Sequence, residues 1–320
     1  MHKYLTIRKA LDDFVRLQIW STRFTSSTSK MASNPVRNCP CLLYAGPEPS
    51  IDEARATMST FFGGSVDLEK DEVNCIAKIK LNYTQIKNAI SGKMMVDLEG
   101  IVDELEQWGK CKGALLHGAD GNFCSGGDLN MARKANNPES GYAMSTYMHA
   151  ILNRFQMLPF ITVAYIDGIG ALGGGAELST ACDYRLMCDD RTTVIGFVHG
   201  RMGLVPAWGA TGRLLAIVGR QKATDLLLDA KPVPAEYALR IGLADDTVAT
   251  LSDAVNWLLR KVGRNHVDVI KAIKYTRSTY DKHCKWQECA GQMERKIFAP
   301  LWGGSANREA LSKNIKHNTS

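Results

Sequence analysis

Short apolar runs alternate with stretches of helical spacing along most of the chain. Val73–Leu81 alternates apolar and polar side chains loosely and predicts a strand. Gly113–His117 and Phe160–Ile166 are nearly uniform apolar runs and predict buried strands; Tyr184–Met187 and Thr193–Val198 add two more. Between them, Gly92–Gly109 sets Val96, Ile101, Leu105 and Trp108 roughly on one helical face. Tyr142–Met157 predicts a second helix, ended by Pro159, and Ala176–Cys182 a short third one. From Thr211 onward the spacing is helical. Val255, Leu258, Leu259 and Val262 form one stripe, and Trp286, Cys289, Met293 and Ile297 another. Each predicts a helix facing a core or a second subunit. Strands interleaved with helices define an α/β class.

The first 55 or so residues break this pattern: they are rich in Ser, Thr, Arg and Lys, then in Pro and Cys. Arg8, Lys9, Arg16, Arg23 and Lys30 fit a mitochondrial presequence, whereas Asp12 and Asp13 do not. A disordered extension, with Met31 as a second start, is the alternative. The body is expected to begin near Phe61, giving an extension over 1–55, a core over 56–250 and a helical region over 251–320. The longest good apolar run, Leu158–Ile166, is strand-sized, so no membrane span is expected.

Composition narrows the function. With 320 residues and 45% hydrophobic content, the chain can bury a sizeable core. Its formal charge of +6 is scattered, with no basic stripe, so no nucleic-acid partner is expected. A mild basic excess does suit a ligand carrying phosphates. Nine cysteines contain no CxxC pair, and His283, Cys284 and Cys289 lack a second close ligand pair. No metal is expected, and a reducing compartment fits.

Two glycine clusters carry the candidate chemistry. Gly168–Gly173 is a literal GxGxxG after an apolar strand, with Asp189 about twenty residues on, as a dinucleotide-binding turn requires. However, Gly174 and Gly175 extend it into a triple glycine that a pyrophosphate turn does not need. A matching turn, Cys124-Ser125-Gly126-Gly127-Asp128, lies upstream, with Asp128 placed to cap a helix. Two such turns, each ending in an acid at a helix mouth, suggest backbone donors converging on one oxygen, an oxyanion hole. The dinucleotide reading stays open as a competitor.

The segments Gly118–Leu129 and Gly170–Leu178, their spacing, Asn88-Ala89-Ile90-Ser91 and Gly203-Leu204-Val205-Pro206 resemble the enoyl-CoA hydratase/isomerase, or crotonase, superfamily. The resemblance covers roughly 61–308. It implies a crotonase-like spiral of ββα repeats with a C-terminal helical trimerisation region, and therefore a homotrimer or hexamer. It implies an acyl-CoA substrate and no separate cofactor. The Ser125 and Gly174 N–H groups would be the oxyanion donors, Gly126, Asp128 and Gly173 would face the substrate, and the CoA nucleotide would lie near Lys87 and Ala89.

Hydratases of the family use two glutamates. Glu177 matches the first, though it also reads as an ordinary residue favoured by a helix dipole. At the second position stands His199, which argues against hydration. A malonyl-type thioester brings its own carboxylate, and losing CO2 makes the enolate without proton abstraction. A histidine can hydrogen-bond that carboxylate or reprotonate the α-carbon. Phe62–Lys70, Gly173–Met187, Phe197-Val198-His199 and Leu301–Gly304 resemble the branch of the family that decarboxylates ethylmalonyl-CoA to butyryl-CoA, with methylmalonyl-CoA a poorer substrate. That resemblance implies a cytosolic metabolite-repair role, or a mitochondrial one if residues 1–55 are a presequence. Isomerisation, hydration or thioester hydrolysis, and a non-catalytic RNA-binding or scaffolding role, remain the alternatives.

Overall fold

A computed structural model describes residues 43–282 and 286–313. The folded body starts before Phe61. Helix α1 (Ile51–Ser59) opens with a capping box between Ser50 and Glu53 and buries Ala54 and Met58. Strands β1 (Ser65–Asp71) and β2 (Ile76–Asn82) then form an antiparallel hairpin. Val73, expected in a strand, is 90% exposed in the turn between them.

Helix α2 (Gly92–Gln107) is capped by Ser91, whose hydroxyl accepts from the Met94 N–H, and buries Ile101 and Leu105 as the spacing predicts. It leads to β3 (Gly113–Gly118). After the first glycine turn come α3 (Leu129–Lys134) and α4 (Pro138–Gln156). Proline at the start of α4 follows the Asn137 cap and costs no hydrogen bond there. Strand β4 (Ile161–Ile166) follows, then β5 (Ala171–Leu172), α5 (Gly174–Thr180), β6 (Tyr184–Cys188) and β7 (Val194–Gly196). The strand predicted over Thr193–Val198 stops early, and Val198–Met202 is a 3-10 turn instead.

The remaining elements are α6 (Ala210–Val218), α7 (Arg220–Asp229), β8 (Val233–Pro234), α8 (Ala235–Arg240), β9 (Asp246–Val248), α9 (Leu251–Val262), α10 (Val267–Lys282), α11 (Trp286–Leu301) and α12 (Ser305–Ser312). The α9 stripe is core-facing, with Leu258 and Val262 buried. The predicted stripe on α11 involves side chains outside the described set, as do His283 and Cys284. Among the described residues, no helix is long and apolar enough to cross a membrane.

The strands form two sheets, one ordered β1-β2-β3-β4-β6-β9 and one ordered β5-β7-β8. From β2 to β9 the larger sheet is parallel, and β5 pairs β7 in parallel in the smaller one. The chain therefore leaves the large sheet after β4, visits the small one at β5, returns at β6 and leaves again at β7. This is one turn of a spiral per repeat. Isolated bridges Ile90↔Gly127 and Cys124↔Ala171 extend the second layer, so both glycine turns meet at one edge.

Candidate active site

The first turn is gripped from two sides. Cys124 N–H donates to Gly170 O and Leu172 N–H to Cys124 O, while Ile90 N–H donates to Gly126 O and Asp128 N–H to Ile90 O. In extended backbone successive N–H groups point to opposite sides. Because the Asp128 N–H faces Ile90, the Gly127 N–H faces away from it. A Cβ on Gly126 would sit 3.8 Å from Gly174 N, so the two turns are adjacent.

Ser125, expected to supply an oxyanion donor, does not have a free N–H. It donates to Lys87 O at 3.0 Å, and the Ser125 hydroxyl donates to Ile86 O at 2.7 Å. Ser125 ties the Thr84–Ile86 turn and Lys87 to the first glycine turn instead. Lys87, at φ 52°, is exposed beside it and Ala89 is buried; neither lines the cavity. Among the described residues, the N–H groups of Gly127 and Gly174 have no acceptor. Gly174 opens α5, where a helix leaves its first N–H groups unbonded. Two unpaired donors at the meeting of the turns are the physical requirement of an oxyanion hole.

The other glycines explain the GxGxxG pattern. A Cβ on Gly168 would come within 2.0 Å of Gly121 O, and one on Gly170 within 1.9 Å of Val194 O. These glycines let main chains approach each other, and that space holds protein rather than a pyrophosphate. Asp189 is exposed, and the following helix, α5, is a single short one. The dinucleotide reading is therefore corrected. Gly173, at φ 51°, adopts a conformation that favours glycine and turns the chain into α5 beside the cavity.

The cavity encloses about 100 Å³. Its polar wall includes Ser125, Asp128, Glu177, His199 and Asn307; its apolar wall includes Met144, Leu204, Trp208, Phe298, Trp302 and Leu311. Asp128 caps α3, as expected, by accepting from the Asn130 N–H. The thiol of Cys124 is pushed up to about 12 by burial, so it stays protonated and is no nucleophile. The C-terminal helices wall the cavity of their own chain, a role that no local motif announced.

Glu177 is 2% exposed, far from the exposed helix residue that its position also allowed. Its Oε1 lies 3.0 Å from His199 Nε2, and its Oε2 accepts from Trp208 N–H at 2.7 Å. The Ala207 N–H is shared between both oxygens. A carboxylate can only accept, so the proton of a neutral His199 sits on Nε2 and leaves Nδ1 as the uncommitted nitrogen. That Nδ1 is buried with no partner among the described residues. Beneath the pair, buried Arg213 donates to Thr180 Oγ1, Glu177 O and Trp208 O, tying α5 to the Ala207–Trp208 segment. Arg213, Ala207 and Trp208 carry no signal of these roles in the sequence, because their partners are distant along the chain.

Glu294, on α11, accepts from the Thr211 hydroxyl, and burial followed by the charge of Glu177 pushes its carboxyl up to about 8. His149 packs against Gly209 and Gly291. Burial, then Arg295 and Arg213, push its imidazole down to about 4, against the opposing pull of Glu177. A depressed imidazole means the unfolded chain takes up the proton first, so stability is lost as pH falls from about 6.5 toward 4. The expected cost of His149 is about 2 kcal/mol by pH 5. Urea unfolding at pH 7 and pH 5 should show His149→Leu losing that much less stability than the wild type between the two conditions.

Comparison with known proteins identifies the family. The Enoyl-CoA hydratase/isomerase family matches residues 71–299. The fold also matches a crystal structure of enoyl-CoA hydratase from Bacillus halodurans, with a TM-score of 0.68, 23% identity, and coverage of 77% of this chain and 98% of that one. The chain belongs to the enoyl-CoA hydratase/isomerase family, within the crotonase superfamily. Within it, the chain is 43% identical over 272 residues to Ethylmalonyl-CoA decarboxylase of Rattus norvegicus, covering 83% of this chain and 89% of the relative. It is 40% identical over 273 residues to Ethylmalonyl-CoA decarboxylase of Homo sapiens, covering 83% and 87%.

Proposed function

We propose that the protein decarboxylates a malonyl-type acyl-CoA, ethylmalonyl-CoA to butyryl-CoA first and methylmalonyl-CoA more weakly. The observation that carries the reading is the Glu177–His199 pair beside two unpaired backbone donors. Hydration by this family needs a glutamate free to activate water. Here both oxygens of Glu177 are occupied, and the second acid is absent. Similarity to the rat and human decarboxylases supports the choice.

In this mechanism the thioester carbonyl oxygen accepts from Gly127 and Gly174 N–H. The bond from C2 to the carboxylate carbon breaks, CO2 leaves, and the electron pair becomes the enolate, whose charge falls on the held oxygen. C2 then takes one proton, delivered through His199 and replaced from water. Donors fixed in place need no reorganisation as charge develops. Glu177 positions His199 through the contact at Nε2. Lys87 and Ala89 lie by the edge where the CoA nucleotide would rest. Assembly as a trimer or hexamer, and a cytosolic repair role, belong to the same reading and rest on resemblance.

Purified protein incubated with ethylmalonyl-, methylmalonyl- and crotonyl-CoA should yield butyryl-CoA fastest, propionyl-CoA more slowly and no hydrated crotonyl product by mass spectrometry. Hydration of crotonyl-CoA without CO2 loss from either malonyl thioester would overturn the reading. Glu177→Gln should both slow turnover and destabilise the fold. A glutamine amide places N–H groups against a position that already receives N–H donors, and hydrogen bonds to a charged group are worth about 1.5–3 kcal/mol each. Denaturant unfolding beside kcat would measure both effects.

A further inference from the structure

His199 sits in the short 3-10 turn Val198–Met202, which has no side-chain cap at its start and ends at Gly203, φ 67°. Its internal support is slight: Gly203 N–H donates to Gly200 O and Leu204 N–H to His199 O. So short a 3-10 segment has little rigidity of its own. The far end of the chain supplies more. Asn307, 2% exposed, donates from Nδ2 to Met202 O at 2.8 Å, and its Oδ1 accepts from Gly303 N–H at 3.0 Å. Gly303 is itself wedged at φ 70°, where a Cβ would come within 2.7 Å of Asn136 O. The neighbouring Trp302 indole donates to Ala135 O. A continuous path of hydrogen bonds and close packing thus runs from the α3–α4 connection through Gly303 and Asn307 to the turn bearing His199.

We propose that Asn307 is a positioning residue that acts on the reaction through the Met202 carbonyl, holding the His199 turn at the register in which Nε2 meets Glu177. Asn307 also lines the cavity, so helix α12 is part of the site. This proposal rests on the decarboxylase reading for its kinetic arm and not for its spectroscopic one. An amide fits the task because it offers a donor to Met202 and an acceptor to Gly303 at once.

Asn307→Leu keeps the branched outline and the number of side-chain heavy atoms while removing both bonds; Asn307→Gln keeps both functions on a longer arm and serves if the leucine variant does not fold. A misplacement of about 1 Å typically costs on the order of 100-fold. Asn307→Leu is expected to lower kcat for ethylmalonyl-CoA by about 10- to 100-fold with KM little changed. Asn307→Gln should recover part of the loss. In a His199→Ala background the leucine substitution should have almost no further effect on kcat, because the residue it positions is gone. An equal fold-loss in both backgrounds, or an unchanged kcat, would overturn the proposal. The second readout is the imidazole 15N spectrum of full-length protein, with His199 assigned through His199→Ala. Asn307→Leu should shift or broaden the His199 resonances, and unmoved resonances would overturn the proposal. If the wild type does not decarboxylate, the proposed function fails while this spectrum still judges Asn307.

Discussion

His199→Ala is expected to lower kcat for ethylmalonyl-CoA by about 10²- to 10⁴-fold, the usual contribution of a positioned acid–base group. The geometry explains why the loss should be so large. His199 lines the cavity with its Nε2 fixed 3.0 Å from Glu177, and its Nδ1 is buried with no partner among the described residues. Leaving a buried nitrogen unpaired costs roughly 1–3 kcal/mol in the free protein. A proton taken up at Nδ1 on its way to C2 would remove that deficit, so the interaction strengthens along the reaction rather than in the resting state. His199→Gln supplies polarity without a titrating ring and should rescue binding but little turnover. Steady-state kinetics across pH would separate these effects. If His199→Ala retained more than about half of kcat, the histidine would not carry the proton.

The second large effect concerns the oxygen. Gly127→Pro removes an N–H that has no acceptor among the described residues, and a lost oxyanion donor typically costs about 10²- to 10³-fold in kcat. Gly127→Ala is the control: no atom lies within 4 Å of an added Cβ there, and the N–H survives. The alanine variant should therefore keep most of its turnover, and both variants should fold, as near-UV circular dichroism would show. Equal turnover in the two variants would place the donor elsewhere.

Much of this site is legible in the sequence. The glycine turns announced themselves because side-chain-free residues beside a capping acid have few other uses, and the structure brings both to one edge. The particular donor was misread. Whether Ser125 or Gly127 offers a free N–H depends on pairing with Lys87 and Ile90, and that pairing is a property of the folded spiral, not of the motif. Glu177 and His199 were legible as site residues, yet not as a bonded pair. Their contact exists only because the fold brings α5, the Val198–Met202 turn and the Ala207–Trp208 segment together. Asn307 left no trace, since its partner Met202 lies 105 residues away. Strand boundaries failed where exposure overrode pattern, as at Val73, and where the chain tightened into a 3-10 turn after Gly196.

The central claim is that CO2 loss, and not proton abstraction, generates the enolate. Ethylmalonyl-CoA labelled with 13C in its free carboxylate and turned over in D2O tests it directly. The account predicts that all the label appears as CO2 and that the butyryl-CoA carries one deuterium at C2. Label retained in the thioester, with deuterium exchanged into C2 of unreacted substrate, would contradict it.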